Sequence, residues 1–172
     1  SPARREKTLR LSKDDDKRRS LGAEMLLFKA AGRDDYVLSK NEKPYFPGNE
    51  VFFSLAHCGD YAVCAVSDVP VGVDIELPRA GGSSLAKRFF RHDEAALVYA
   101  ADDPDREFCR LWTLKESYIK CADLRLGDVR SFSVVSGAED CSFSGASHGE
   151  YLIGCCAKTQ DIGEIIIINE KI

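Results

Sequence analysis

The chain of 172 residues predicts an α+β fold, because a helical stretch followed by a group of short strands occurs twice along it. These two helix-and-strand units, the first and the second round, also contain similar five-residue sequences: Gly-Asp-Tyr-Ala-Val at 59–63 and Gly-Glu-Tyr-Leu-Ile at 149–153. This similarity suggests an internal repeat, although a hairpin turn followed by any strand can produce one. The length allows either one large domain or two small units that share a core.

The first round opens with a helix predicted over 12–31. Ser12 is a suitable N-cap, because its hydroxyl can accept a hydrogen bond from the first turn. Leu21, Met25 and Phe28 recur at i, i+4 and i+7, which predicts that they form the buried face of this helix.

Alternating and β-branched residues then predict four strands, at 36–39, 51–57, 61–67 and 71–76. The turns between the last three strands are short and contain Gly, Asp and Pro. We therefore expect these three strands to form an antiparallel meander.

The second round again places helices before strands, after a Gly- and Ser-rich link at 81–84. Its longest helix carries the most informative motif of the chain. The predicted elements are helices at 85–90, 93–100 and 107–121 and strands at 131–135, 141–144, 151–157 and 164–169.

The net charge of −4 conceals an uneven distribution of charge. Residues 1–20 contain eight Lys or Arg and four Asp or Glu, so the rest of the chain is acidic. These cations could lie on a solvated helix face or bind a small polyphosphate. Nucleic-acid binding is a poor alternative, because the chain lacks a basic stripe with interleaved aromatic residues.

The seven cysteines indicate a reducing compartment. They include no C-x-x-C pair, and most lie in apolar patterns where a free thiol behaves as a small hydrophobe. Zinc ligation and a disulfide framework are therefore both unexpected. The charged N-terminal stretch does not resemble a signal peptide, and no apolar run is long enough for a membrane helix, so a cytoplasmic location fits best.

Two acidic residues stand out on the last strand of the first round. Asp74 and Glu76 are two positions apart and share one face of a strand, about 6.6 Å from each other along it. Val71, Val73 and Ile75 alternate with them and need a core on the opposite face. Neighbouring carboxylates repel unless a cation neutralises them. The pair therefore predicts a site for a hard cation, the alternative being an edge strand on which both acids face solvent.

Glu116 and Lys120 lie one turn apart on the longest predicted helix. An exposed ion pair between them would contribute only about 0.3–0.5 kcal/mol. Trp112 lies one turn earlier on the same face and favours a partly buried position instead. Together with the acids of the strand, these residues predict a site for a hard cation and a phosphate.

The motifs Val-Gly-Val-Asp-Ile-Glu and Trp-Thr-Leu-Lys-Glu-Ser-Tyr-Ile-Lys, at 71–76 and 112–120, resemble those of 4′-phosphopantetheinyl transferases of the larger, Sfp-type class. The resemblance covers most of the chain, because four other segments also have family counterparts. These segments are 1–7, 53–57, 86–90 and 131–134.

This resemblance implies a pseudo-dimer of two similar halves, each a small, mainly antiparallel sheet packed with a long helix. The N-terminal half, 1–77, would contain the coenzyme A grip and the metal-binding strand. The C-terminal half, 78–172, would contain the motif helix and the second sheet. Family members also have a strand ahead of the position that matches Ser1, so we expect a further N-terminal segment.

The resemblance also assigns roles in the acidic site. Asp74, Glu76 and Glu116 would hold Mg²⁺, and Glu116 would also act as the base for the attacking hydroxyl, directly or through water. Lys120 would neutralise charge on the diphosphate and its leaving group. His57 would contact the phosphates of the ligand, although a lone histidine is often a hydrogen-bonded surface residue.

Several residues match family positions that contact coenzyme A. Basic residues near the N-terminus, with one serine, would grip its 3′-phosphate, and a Lys-Pro turn would pack on adenine. Lys115 could contact the ligand or face solvent, and Ala56 stands where the family usually has a serine that contacts phosphate. The full expected set is Arg4, Lys7, Ser20, Lys43, Pro44, His57, Lys115 and Lys120.

The implied reaction is the Mg²⁺-dependent transfer of the 4′-phosphopantetheine arm of coenzyme A to a serine of an apo acyl or peptidyl carrier protein. Lys87, Arg88 and Arg91 are candidate docking residues for an acidic carrier, and a monomer is expected. The alternative is a non-catalytic module of the same fold that binds coenzyme A or a nucleotide. A metal-dependent phosphohydrolase is a weaker alternative, because no second cluster of Asp and His ligands is found.

Overall fold

A computed structural model describes residues 14–48, 50–138, 140–163 and 165. The α+β fold predicted from the sequence is confirmed, with helices packed on small antiparallel sheets. The helices are α1 (Asp14–Ala31), α2 (Ala86–Phe89), α3 (His92–Ala100) and α4 (Pro104–Cys121). The strands are β1 (Val37–Leu38), β2 (Pro44–Tyr45), β3 (Phe52–Cys58), β4 (Tyr61–Ser67), β5 (Val71–Glu76), β6 (Ser142–His148) and β7 (Tyr151–Ala157).

The strands pair in three small antiparallel sheets. β1 pairs with β2, β3 pairs with β4, and the third sheet has the order β5–β7–β6. The predicted meander is therefore wrong at its third strand, because β5 pairs with β7 and not with β4. β5 is buried over nearly its whole length. Pairing with β7, the central strand of a sheet that a helix covers, therefore suits β5 better than pairing with the partly exposed β4.

Helix α4 lies directly on β5 and β7, and two glycines permit this close approach. A β-carbon on Gly72 of β5 would overlap the carbonyl oxygen of Ser117. A β-carbon on Gly154 of β7 would lie only 2.6 Å from the carbonyl carbon of Thr113. These contacts fix the height of α4 above the strand that carries the two acids.

The opposite face of β5 contributes to the apolar core. Val73 and Ile75 form a buried cluster with Ala56 of β3 and Ile153 of β7. The amide of Val73 also donates to the Ser54 hydroxyl at 3.0 Å. The expected alternation on β5 is therefore present, with apolar residues turned toward β3 and the even-numbered residues turned toward α4.

Helix α1 packs with a different face from the one predicted. Ala23 and Leu27 are buried, whereas Leu21, Met25 and Phe28 are 48, 49 and 57 % exposed. The expectation that the apolar stripe is buried is therefore wrong. Helix α1 packs on β4, and its buried Leu27 joins an aromatic cluster of Tyr36, Phe46 and Phe53.

The strand predicted at 131–135 is absent from the described part of the chain. Side chains satisfy its backbone donors instead, since the amide of Val134 donates to Glu94 and that of Val135 donates to the Ser133 hydroxyl. Those bonds replace a strand ladder. The predicted N-cap Ser12 and nearly all of the strand predicted at 164–169 lie outside the described residues.

The motif helix begins earlier than predicted, at Pro104 instead of residue 107. Asp103 caps it by accepting a hydrogen bond from the amide of Arg106 at 3.0 Å, and proline is well suited to the first helical position. Within the residues that the structure describes, no helix combines the length and apolar character needed to cross a membrane.

Candidate functional site

Lys120 of α4 and Asp74 of β5 join the two sequence motifs. The Lys120 ammonium donates to Asp74 Oδ1 at 2.6 Å and to the carbonyl oxygen of Val73 at 3.2 Å. The helix is held at this distance by the glycine contact with Gly72, two residues before Asp74. The structure therefore brings together the acidic strand and the motif helix, as the sequence led us to expect.

Asp74 is a buried carboxylate with one oxygen unsatisfied. Asp74 is only 6 % exposed, and its Oδ2 atom has no hydrogen-bond partner among the described residues. Burial raises the pKa of Asp74, while the charge and hydrogen bond of Lys120 act in the opposite direction. An unsatisfied buried oxygen of this kind is costly alone and is readily satisfied by a cation.

Glu116 and Glu76 share the electrostatic environment of Asp74. Burial raises the pKa of Glu116, and the negative charges of Asp74 and Glu76 raise it further, whereas Lys120 lowers it. Glu76 is half-buried at the end of β5, where its Oε2 accepts a weak hydrogen bond from Cys58 Sγ at 3.6 Å. The three acids therefore influence one another across a single site.

The three acids do not form a compact cage in this conformation. Their oxygens do not all lie within 4.8 Å of one another. Asp74 is turned toward Lys120, so side-chain rotation is needed before Asp74, Glu76 and Glu116 can contact one ion. The donor set of carboxylate oxygens is nevertheless the one that a hard cation prefers.

His57 lies at the exposed end of β3, one residue before Cys58. Because Cys58 contacts Glu76, the backbone of His57 lies near the end of the acidic strand. His57 also has an interaction partner within the protein. The structure therefore places His57 at the margin of the site.

The turn that carries Lys43 and Pro44 is attached to the end of α4. The Lys43 ammonium donates to the carbonyl oxygen of Cys121 at 3.0 Å, and Asn41 donates to the carbonyl oxygen of Asp123 at 2.6 Å. Burial lowers the pKa of Lys43. The turn expected to contact adenine thus touches α4 at Cys121, the residue that follows Lys120.

Ser20 and the basic N-terminal residues were expected to form a phosphate grip. Ser20 is buried on α1, only 2 % exposed, and has a partner within the protein. Its neighbour Arg19 donates to the carbonyl oxygen of Gly59 at 3.1 Å, which attaches α1 to the β3–β4 turn. Arg4 and Lys7 lie outside the described residues.

Lys115 is placed in the interior and not at the ligand site. Its three donors are all used, by both carboxylate oxygens of Glu94 at 2.8 Å and by the carbonyl oxygen of Phe132 at 2.9 Å. Both side chains of this ion pair are fully buried. Neither the solvent-facing position nor the ligand contact expected for Lys115 agrees with this arrangement.

Nothing in the sequence identifies Glu94 as the partner of Lys115. Glu94 follows the N-terminus of α3, and its carboxylate also accepts from the amide of Arg91 at 2.9 Å. A glutamate three residues after a helix start predicts this local contact. It carries no signal of the contact with α4, which depends on how α3 packs.

Both sequence motifs lie within a region of the chain that matches a known protein family. The model of a family described as the 4′-phosphopantetheinyl transferase superfamily matches residues 70–163. A 4′-phosphopantetheinyl transferase of Bacillus subtilis is 37 % identical over 147 residues, which cover 78 % of this chain and 65 % of the relative.

Two further relatives carry the same name. The 4′-phosphopantetheinyl transferase Sfp of Bacillus subtilis strain 168 is 33 % identical over 132 residues, covering 70 % of this chain and 58 % of its own length. The 4′-phosphopantetheinyl transferase HetI of Nostoc is 38 % identical over 80 residues, which cover 44 % of this chain and 34 % of that relative. The chain therefore spans less than two thirds of the length of the curated relatives that it matches.

Proposed function

Because the chain belongs to the 4′-phosphopantetheinyl transferase superfamily, we propose that it transfers the 4′-phosphopantetheine arm of coenzyme A to a serine hydroxyl of an apo acyl or peptidyl carrier protein. The contact of Asp74 with Lys120 carries this proposal. It leaves Asp74 Oδ2 buried and without a hydrogen-bond partner in the described part of the chain. An unsatisfied carboxylate beside an ammonium suits a ligand that combines a cation with a diphosphate.

The proposed cation is Mg²⁺, which prefers oxygen ligands and is typically held by one or two carboxylates together with substrate phosphates. Asp74, Glu76 and Glu116 would hold it, and the effect of the first two on the pKa of Glu116 supports a shared site. When bound, it would screen the negative charge of the diphosphate.

In the proposed reaction the carrier hydroxyl attacks the phosphorus next to pantetheine. A new oxygen–phosphorus bond forms, the diphosphate bond breaks, and 3′,5′-ADP leaves. Glu116 accepts the hydroxyl proton, directly or through water, and its raised pKa makes it a stronger base than an exposed glutamate. Lys120 stabilises the charge that develops on the leaving phosphate.

The proposed coenzyme A surface extends from the acidic site in two directions. Lys43 and Pro44 lie at the end of α4 and would contact adenine. His57 lies near the other end of β5 and would contact phosphate. Arg4 and Lys7 would contact the 3′-phosphate. Ser20 is not included, because it is buried on α1 and only 2 % exposed. Lys115 is not included, because Glu94 and Phe132 occupy all of its donors.

A basic surface on α2 and at the start of α3 is proposed to dock the carrier. Lys87, Arg88 and Arg91 are all exposed, and the Arg88 guanidinium lies over the Phe89 ring at 5.1 Å. Positive charge at this position would attract an acidic carrier and accelerate the encounter.

We also propose that the fold is a pseudo-dimer divided near residue 77. The β3–β4 and β6–β7 hairpins support this arrangement, because each has two seven-residue strands and a two-residue turn. Gly59 and Gly149 begin these turns with nearly equal φ angles of 55° and 57°. β5 pairs with the second hairpin although it precedes the proposed division. We further propose a monomer located in the cytoplasm, which the free cysteines support.

The test is incubation of the purified protein with coenzyme A, Mg²⁺ and a panel of apo carrier proteins, followed by intact-mass measurement. We expect one carrier or more to gain the mass of one phosphopantetheine group. A carrier with alanine in place of the acceptor serine should gain none. Coenzyme A binding without transfer to any carrier would instead support the non-catalytic binding module.

A further inference from the structure

Three cysteines from separate parts of the chain meet beneath the end of α4. Their sulfur atoms, from Cys121, Cys141 and Cys156, all lie within 4.8 Å of one another. Cys121 is the last residue of α4, Cys156 lies on β7, and Cys141 comes directly before β6. The sequence did not reveal this cluster, because no two of the three occur at a spacing typical of metal ligands.

The register of the sheet explains why these thiols converge. Cys156 pairs with Gly72 on one side and with Phe143 on the other. Because Gly72 lies against α4, Cys156 shares the face of the sheet that α4 covers. Cys121 and Cys156 are 5 % and 0 % exposed, whereas Cys141 is half-buried and provides access from solvent.

The surroundings of the cluster favour a thiolate. The pKa of Cys121 is lowered to about 7, chiefly because the Cys156 thiol donates a hydrogen bond to it, with further contributions from Lys43, Cys141 and Lys158. The pKa of Cys156 is raised in return. In its protonated form Cys121 donates to the carbonyl oxygen of Pro70 at 3.2 Å.

We propose that Cys121, Cys141 and Cys156 form a binding site for one soft cation of the Cu⁺ or Zn²⁺ class. Thiolates select such cations over Mg²⁺, which prefers oxygen ligands. Sulfur atoms around a zinc ion lie about 2.3 Å from the metal, so the cluster needs only a small contraction to surround one. Binding releases the thiol protons, and the ammonium groups of Lys43 and Lys158 offset part of the resulting negative charge.

This site is separate from the acidic site but is attached to the same helix. Cys121 follows Lys120 directly, and the Lys43 ammonium contacts the carbonyl oxygen of Cys121. A bound cation would therefore link the end of α4 to β7 and to the residue before β6. It would stabilise that corner by binding the folded state and not the unfolded one.

The test uses the whole chain, fully reduced and freed of metal, titrated separately with Zn²⁺, with Cd²⁺ as an absorbing substitute, and with Cu⁺ in a competing chelator. We expect one equivalent to bind, with sulfur-to-metal charge-transfer absorption from Cd²⁺ and a rise in Tm with Zn²⁺ or Cu⁺. The relative affinity for Zn²⁺ and Cu⁺ distinguishes the two members of the class. Absence of both signals for every cation would overturn the proposal.

The central variant is Cys141→Ser, because this half-buried position is the least demanding for folding. Loss of one of three ligands should weaken binding by on the order of 100-fold or more, since even partners outside the first shell contribute 10–100-fold. Cys64→Ser, on β4 and outside the cluster, is the matched control and should bind like the parent protein. Equal binding by both variants, with unchanged Tm values in the absence of metal, would rule out the cluster as the site.

Discussion

The backbone of Gly72 on β5 contacts the carbonyl oxygen of Ser117 on α4 so closely that a β-carbon cannot fit between them. Asp74 follows Gly72 by two residues and Glu116 precedes Ser117. The spacing between the acids and Lys120 therefore depends on the absence of a side chain at one position. This contact relates the packing of the helix to the chemistry of the site.

Gly72→Ala should push α4 away from β5 and lengthen the contact between Lys120 and Asp74. Overpacking of this kind typically destabilises a protein by about 1–3 kcal/mol, so the urea midpoint and the transfer rate should both fall. Gly127→Ala is the control, because nothing lies within 4 Å of the β-carbon at that position. Equal stability of the two variants would contradict the close packing described for Gly72.

Asp74→Ala and Glu76→Ala should each lose most transfer activity while remaining folded. Either change removes a proposed ligand of the cation that screens the diphosphate. Single-turnover transfer and circular dichroism measure the two effects separately. Asp68→Ala, at an exposed turn before β5, should retain activity. Near-normal transfer by Asp74→Ala or Glu76→Ala at saturating Mg²⁺ would show that the acidic strand does not serve the reaction.

Glu116→Gln separates the two roles proposed for this residue. If Glu116 acts chiefly as the base, the variant should bind Mg²⁺ and coenzyme A within a few-fold of the parent and lose on the order of 10²–10⁴ in rate. If it acts chiefly as a ligand, Mg²⁺ affinity should fall and excess Mg²⁺ should restore much of the rate. Calorimetry combined with single-turnover kinetics distinguishes these outcomes, and parental behaviour in both would exclude Glu116 from the site.

Mg²⁺ affinity should increase with pH over a range above the ordinary carboxyl pKa. Burial raises the pKa values of Asp74 and Glu116, so protons occupy these oxygens to a higher pH than in an exposed acid. Affinity should rise as the acids ionise and then level off. Calorimetry over a pH series measures this, and Glu116→Gln should flatten the rise whereas Glu150→Gln, at an exposed turn, should not. A Mg²⁺ affinity of the parent protein that does not change with pH over this range would contradict the raised pKa values of Asp74 and Glu116.

Glu94→Gln should destabilise the fold by about 3–5 kcal/mol, the usual effect of removing one partner from a buried ion pair. The Lys115 ammonium would remain fully buried with a neutral partner in place of the carboxylate. Glu107→Gln is the control. It breaks a partly exposed ion pair between Glu107 and Arg110, both on α4, and should change stability by less than about 1 kcal/mol. Urea unfolding measures both, and similar values would show that the Lys115 pair is not desolvated as described.

The local patterns of the acidic site could be predicted from the sequence. Alternation on β5 placed Asp74 on the face opposite Val73, and helical spacing placed Glu116 and Lys120 one turn apart. The bounds of β5 also agree with the prediction. These features depend on neighbours within a few residues, which is the range over which a sequence pattern carries information.

Features that depend on distant parts of the chain could not be predicted in this way. Nothing near Val71–Glu76 indicates that β5 pairs with β7, because the backbone donors of a strand can bond to any partner. The exposed Phe28 shows that the most apolar face of a helix need not be the one that fits its neighbour. The sequence allows Lys115 either a ligand contact or a solvent-facing position, and only its buried pairing with Glu94 excludes both.

The pairing of β5 with β7 has a consequence for the order in which this protein can fold. Asp74 is paired with Gly154, so the acidic strand leaves the ribosome long before its partner strand is synthesised. A nascent chain that ends after α4 contains every residue of the acidic site and yet lacks the strand beside β5. Contacts between such distant segments form slowly. Assembly of the site should therefore coincide with one of the last folding events.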